Sequence, residues 1–225
     1  MSPPVKVFGH PMSTNVARVL LCLEEVGAEY ELVPVDFLAG KQNDPQHVQR
    51  NPFGKIPAFQ DGDLVLFESR AIAKYILRKH KTDDLDLLKE SSSSSSSIEE
   101  EAAMVDVWTE VEAQQYYPAI SLVVFECIIF PVMRGTTANQ EIVDGSLERL
   151  KRVLEVYEAR LEKSRYLAGD SISFADLNHF PFTFYFMATP YASVFDGYPK
   201  VKAWWEGLMA RPAVKKVCAN MPTDF

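Results

Sequence analysis

Apolar residues recur along this chain with two periods, and the change of period divides it. From residue 5 to about 80, short strand-like runs alternate with helical stretches. VKVF (5–8) reads as a strand. Residues 15–26 place Val16, Val19, Leu20 and Leu23 on one helical face, with Gly27 as a stop signal. YELVPV (30–35) is a second strand, and DPQHVQ (44–49) suits one helical turn. IPAF (56–59) and LVLF (64–67) flank Asp61-Gly62, the turn of a β-hairpin. ESRAIAKYILRKH (68–80) is then a helix with Ser69 as its expected cap.

After residue 98 the period is helical throughout. Ile98, Val105, Trp108 and Val111 begin a long amphipathic helix that Pro118 should kink. Leu147, Leu150, Leu154, Tyr157 and Leu161 follow at steps of three and four. Ser173 and Asp176 have capping-box spacing, with Ile172 and Leu177 placed to form a hydrophobic staple. Short helices are expected around Val201–Met209 and Ala213–Ala219. The first half has the order βαβ, connection, ββα, that of a thioredoxin-like α/β domain. The division expected is a thioredoxin-like domain over 1–82, a linker over 83–97 and an all-α domain over 98–225. The linker carries seven consecutive serines (91–97), which bury nothing and cannot offset their own ordering entropy. A phosphorylated regulatory tract is the other reading of that run.

Composition narrows the function. Apolar residues make up 47% of the 225, enough for a full core, and the net charge is −8. That charge argues against a nucleic-acid surface and against docking on anionic membranes. Cys22, Cys127 and Cys218 are odd in number and widely spaced, with no CxxC pair and no metal-ligand cluster with the four histidines. Free thiols suit a reducing, cytoplasmic location. The N-terminus lacks a signal-peptide pattern. LNHFPFTFYFMATPYASVF is too polar and too broken by Pro181 and Pro190 to span a membrane, and reads as a buried core helix.

Three places carry candidate chemistry. GHPMSTNV (9–16) offers Ser13, Thr14 and Asn15 as caps for one helix, more than capping needs. The Ile56-Pro57 bond is either cis or the start of an edge strand. Glu68-Ser69 opens a helix, where backbone N–H groups and a hydroxyl suit an anion and a carboxylate suits an ammonium; Ser69 as a mere cap is the simpler alternative.

Four stretches make the whole more specific: GHPMSTNVARV, RNPFGKIPAFQDGDLVLFESRAI (50–72), YLAGDSISFADLNHFPFTFYFMATPYA and YPKVKAWW. With AAMVDVWTEVEA and LEVYEARL, they resemble the cytosolic glutathione transferases, most closely the plant phi class of the cereal herbicide-detoxifying kind. The resemblance covers nearly all of the chain outside the serine run.

That resemblance implies an enzyme that conjugates glutathione to small hydrophobic electrophiles, with glutathione peroxidase activity on organic hydroperoxides as a further expectation. It implies no cofactor, glutathione entering as co-substrate. Ser13 stands at the catalytic position, where its hydroxyl would donate to the glutathione thiolate. Ile56, Glu68 and Ser69 would bind glutathione, with Pro57 cis so that the Ile56 backbone meets the peptide. Thr14 or Asn15 is then left to cap the helix, and His10 is assigned no role. Phi enzymes usually hold the glycine end of glutathione with a His-Lys pair and a glutamine; here those positions are Gln42, Asn43 and Lys55. Lys41 or Lys55 is expected to supply the missing charge, with weaker glutathione binding than is usual. Met12, Phe37, Phe125 and Ile129 would line the electrophile site; ordinary core packing is the plainer reading of each. Cys127 is a candidate modifiable thiol there, or inert packing. Phe53 would insert between helices of a second subunit, giving a homodimer. Two rival functions stay open: a ligandin-like carrier of flavonoids or other apolar molecules, and a thiol-disulfide oxidoreductase, which Ser13 in place of cysteine disfavours.

Overall fold

The computed structural model describes residues 4–82, 84–90 and 96–222. Serines 91–95 of the expected linker lie outside the described residues, as does the side chain of Ile98. The chain divides into two compact units, one formed by Met1–Asp86 with Pro212–Pro222, the other by Leu87–Arg211. The division therefore falls at Asp86–Leu87, ahead of the serine run, and the final helix belongs with the first unit. Leu87 and Leu88 are buried, and the Leu87 carbonyl accepts the Phe174 N–H at 2.8 Å, which holds these residues in the second unit.

The first unit is built on a four-stranded sheet of β1 (Val5–Gly9), β2 (Tyr30–Pro34), β3 (Ala58–Asp61) and β4 (Leu64–Phe67), in the order β2-β1-β3-β4. β1 and β2 are parallel, with Phe8 opposite Val33; β3 runs antiparallel to β1 and β4, with Ala58 opposite Phe8 and Phe67. β3 starts at Ala58, two residues later than the sequence suggests, because proline has no N–H to give the ladder. The helices of this unit are α1 (Thr14–Glu25), α2 (Pro45–Val48) and α3 (Ser69–Lys79). α1 buries Val16, Val19, Leu20 and Leu23 and packs against α3.

The second unit is helical: α4 (Ser96–Val111), α5 (Tyr117–Val124), α6 (Phe130–Arg134), α7 (Gln140–Leu161), α8 (Phe174–Leu177), α9 (Phe180–Phe186) and α10 (Pro199–Met209). α4 already includes Ser96 and Ser97, which the sequence assigns to the linker. α11 (Pro212–Cys218) returns to pack against α1 of the first unit, where Lys216 Nζ lies 2.7 Å from Glu24 Oε2. All five periodic residues of α7, from Leu147 to Leu161, are buried.

Pro118 does not break its helix. Residues Glu112–Tyr116 instead form one wide turn, in which the Tyr117 N–H bonds the Glu112 carbonyl five residues back. A second wide turn, Phe125–Ile129, precedes Pro131 in the same way. A proline cannot bond the carbonyl four residues before it, and a wider turn absorbs that misfit. The run Glu99–Arg134 is long and apolar enough to cross a membrane by length and composition alone. In the structure α5 packs against α7 and α9, as a core helix does. The apolar stretch read as one core helix is largely buried only as far as Phe186, and it is broken into α8, α9 and a short turn at Ala192–Gly197.

The core of this unit contains polar groups, several of them matched, while Asn178 Oδ1 and Trp108 Nε1 are buried without a hydrogen-bond partner among the described residues. Tyr157 and His179 Nε2 lie 2.9 Å apart, while His179 Nδ1 lies 2.7 Å from the Ala175 carbonyl. Nδ1 therefore carries the proton, and Nε2 accepts from the tyrosine. Asp176 accepts from the N–H groups of Leu167 and Ser173, the Ser173 hydroxyl and Trp204 Nε1, so the expected capping box is present.

Candidate active site

The turn from β1 into α1 begins at Gly9, where a Cβ would collide with the γ-carbons of Val16. Glycine lets the helix start against the strand end. The Ser13 N–H bonds the His10 carbonyl at 2.9 Å, and the Met12 N–H bonds His10 Nδ1 at 3.2 Å. His10 thus has a structural role that the sequence leaves unassigned. Its ring also meets Phe37 edge-on, with centroids 5.5 Å apart, so Met12 and Phe37 are gathered at one corner.

Ser13 is itself the N-cap of α1, with extended backbone and a hydroxyl oxygen that accepts from the Val16 N–H at 3.4 Å. This corrects the assignment of the cap to Thr14 or Asn15. Thr14 is buried in the first turn, and Asn15 is engaged elsewhere. Capping uses a lone pair of Ser13, not its proton. The hydroxyl proton has no acceptor among the described residues and remains able to donate.

The start of α3 also differs from expectation. Its N-cap is Glu68, at φ 69° and ψ 106°, and Ser69 is the first helical residue. A glutamate held at positive φ costs on the order of 1–3 kcal/mol, the kind of local strain that collects at ligand sites. Ser69 is buried, and its hydroxyl accepts from Arg18 Nη1 at 2.8 Å and donates to Asn15 Oδ1 at 3.3 Å. Arg18 Nη1 also donates to Asn15 Oδ1 at 2.6 Å. Only 1% of Arg18 is exposed. One buried cation therefore ties the N-terminal turns of α1 and α3 together, and both turns present N–H groups with positive partial charge. Pattern reading passes over Arg18. The available signal is an arginine inside the apolar stripe Val16, Val19, Leu20.

A second loop system carries the remaining glutathione candidates. Lys41–Asn43 form one tight turn, and Asn43 Oδ1 and the Gln42 carbonyl lie against Gly54. Gly54 takes φ 57°, which glycine adopts freely. His47 Nε2, at 2.9 Å, and Asn51 Nδ2, at 2.8 Å, both reach the Lys55 carbonyl and fix the residue before Ile56. The Ile56-Pro57 bond is cis. The Ile56 side chain packs on Phe8, Val35 and Ala58, while its N–H and carbonyl lie outside the sheet ladder. Gln42, Asn43, Lys55 and Ile56 are thus brought together. The two lysines differ: Lys41 Nζ is 3.4 Å from Asp44, whereas Lys55 is exposed and has no ion pair among the described residues. Gln42 Oε1 is buried without a hydrogen-bond partner among the described residues.

Phe125 and Ile129 belong to the second unit, where both are half-buried on the wide turn Phe125–Ile129. The Phe125 ring lies 5.5 Å from that of Phe130 and 6.3 Å from that of Phe182. Cys127 is half-buried on the same turn, and burial with the neighbouring Glu126 carboxylate pushes its thiol pKa up. That keeps it protonated, the opposite of what a reactive thiol needs. Phe53 is 67% exposed and rests edge-on against Phe67.

A thioredoxin-like unit with a cis-proline and an anion-suited pair of helix starts, followed by a helical unit, defines a glutathione-binding class of transferase. Residues 3–78 match the description "Glutathione S-transferase, N-terminal domain", and residues 118–212 match "Glutathione S-transferase, C-terminal domain". Glutathione S-transferase 1 of Triticum aestivum is 75% identical over 99% of this chain and 96% of its own. Glutathione transferase F7 of Populus trichocarpa superposes with a TM-score of 0.91, at 49% identity over 97% of this chain and 99% of its own. Maize glutathione S-transferase I, solved in complex with an atrazine glutathione conjugate, superposes with a TM-score of 0.87, at 53% identity over 97% and 98%. The chain belongs to the glutathione S-transferase family and groups with its plant phi class. It is a transferase enzyme that uses glutathione.

Proposed function

We propose that Ser13 activates the glutathione thiol for attack on small hydrophobic electrophiles, herbicides among them. The observation that carries this is the Ser13 hydroxyl, which caps α1 through its oxygen and keeps its proton available beside the positive end of that helix. A free thiol with pKa about 8.5 is only a few per cent ionised at neutral pH, and lowering that pKa by about two units requires roughly 2.7 kcal/mol of preferential thiolate stabilisation. A donated hydrogen bond to a charged acceptor contributes about 1.5–3 kcal/mol. The thiolate attacks the electrophilic carbon, the C–S bond forms, the halide or other leaving group departs with its electron pair, and the thiol proton passes to solvent.

In this reading Ser69 and Glu68 receive the γ-glutamyl carboxylate and ammonium. Ile56, ahead of Pro57, pairs with the central peptide, and Lys55 faces the glycine carboxylate beside Gln42 and Asn43. Met12, Phe37, Phe125 and Ile129 are the residues assigned to the electrophile. The conjugate held by the maize relative supports extending this to herbicides. Glutathione is the co-substrate, and no cofactor is needed. The enzyme acts as a cytoplasmic homodimer, with Phe53 of each protomer entering the partner. A groove of about 620 Å³ lined by Val111, Ala119 and Val153 together with Gln114, Arg149 and Arg152 is a suitable receptor for that ring.

The test is conjugation of glutathione to a chloronitrobenzene by wild type and Ser13→Ala. Loss of turnover in the variant, with the pH midpoint of the rate moved upward, is expected. Normal turnover in the variant removes Ser13 from the mechanism. Little turnover in the wild type favours the carrier reading, which Gln42-Asn43 in place of the usual His-Lys pair keeps open.

A further inference from the structure

The wide turn Phe125–Ile129 buries a carboxylate. Glu126 is 8% exposed, and its Oε2 accepts the Asn139 N–H at 2.8 Å. Asn139 is the N-cap of α7, where its side chain accepts from the N–H groups of Glu141 and Ile142. Glu126 therefore bridges the wide turn to the start of the next long helix. Among the described residues this is its one hydrogen bond.

An apolar side chain would fill this place without the cost of burying a charge. What the carboxylate adds is a fixed geometry. Wide turns are less favourable than regular helix, and Pro131 leaves this one without the usual bond to the Cys127 carbonyl. Phe125 and Ile129 lie at the two ends of the turn, with Glu126 between them. Any change of the turn moves both side chains.

We infer that Glu126 is a positioning residue for the electrophile wall: by holding the Asn139 N–H, it fixes the turn that presents Phe125 and Ile129. The inference rests on the proposed assignment of those two residues to the electrophile site. It gives Glu126 a role in choosing the electrophile and none in activating the thiol.

The experiment compares Glu126→Ala, Glu126→Gln, Asn139→Pro, Asn139→Ala and Phe125→Ala. For each, KM is measured for a chloronitrobenzene and for glutathione, with the pH midpoint of the rate. Glu126→Ala is expected to raise the electrophile KM by about tenfold, the scale of one lost charge-assisted hydrogen bond, with glutathione KM and pH midpoint unchanged. Glu126→Gln, which keeps an acceptor oxygen, should recover most of that loss. Asn139→Pro removes the donated N–H while leaving the carboxylate, and it also removes the cap of α7, so Asn139→Ala, which loses the cap alone, is its control. Relative to that control Asn139→Pro should behave as Glu126→Ala does, and the pair decides the matter if Glu126→Ala does not fold. An unchanged electrophile KM in Glu126→Ala and Asn139→Pro, with a raised one in Phe125→Ala, overturns this inference alone. So does a parallel rise in both KM values. An unchanged electrophile KM in Phe125→Ala overturns the underlying assignment and this inference with it.

Discussion

Arg18 Nη1 donates to Ser69 Oγ at 2.8 Å, joining residues 51 positions apart at the starts of two helices. Ser69 sits at the proposed γ-glutamyl anchor: its oxygen holds Arg18, and a ligand carboxylate there would take the proton that Asn15 Oδ1 now accepts at 3.3 Å. Ser69→Ala leaves the guanidinium with one acceptor fewer. The expected loss is about 1.5–3 kcal/mol in urea unfolding, accompanied by a raised glutathione KM. A variant as stable as wild type and with unchanged KM contradicts this account.

The two lysines at the proposed glycine end should separate. Lys41 is already engaged with Asp44, while Lys55 has no such partner. Lys55→Ala is expected to raise glutathione KM several-fold and to reduce its dependence on salt. Lys41→Ala should do little. If both variants bind glutathione as wild type does, neither supplies the missing charge.

Phe53 leaves most of its aromatic side chain exposed. Burying it stabilises an interface by about 1.5–3 kcal/mol, twice over in a two-fold pair. Phe53→Ala should therefore weaken the dimer by about a thousandfold, read as a later-eluting species in gel filtration at low concentration. Wild-type elution as a monomer counts directly against the dimer.

Asp61 has a depressed carboxyl pKa, set first by the hydrogen bond from Lys79 and further by Tyr75, whose hydroxyl lies at 2.8 Å. The folded state thus binds this proton less tightly than the unfolded chain does. Its contribution is present above the ordinary carboxylate pKa and is lost as pH falls through the folded value. Unfolding midpoints of wild type should fall from about pH 5 downward. Asp61→Asn should flatten that part of the curve; an identical acid limb in the variant removes Asp61 as a cause.

Features set by local pattern were legible in the sequence. The three-and-four spacing of Leu147, Leu150, Leu154, Tyr157 and Leu161 gives the buried stripe of α7, and Ser173 with Asp176 gives the capping box of α8. The cis bond at Pro57 was legible only with its flanking residues. What escaped depends on groups distant in sequence or on backbone angles. Nothing around residue 18 announces that Arg18 will meet Ser69. Glu68 at positive φ overrides the preference of serine for the cap position, so Ser69 becomes the first helical residue. Pro118 marks a disturbance of the helix, but periodicity does not say that it takes the form of a wide turn at Glu112–Tyr116. Three capping residues in a row do not reveal which will cap, since an oxygen can accept one hydrogen bond while its proton serves another group.

The return of α11 to α1 has a consequence for how the protein is made. Residues 212–222 complete a unit whose other part ends at Asp86. During synthesis the strands and first three helices leave the ribosome well before their last packing partner. The unit carrying Ser13 thus becomes whole only after the entire helical unit has been translated, so a chain cut short before Pro212 lacks the surface that α11 supplies to α1 however well the turn from β1 into α1 is formed.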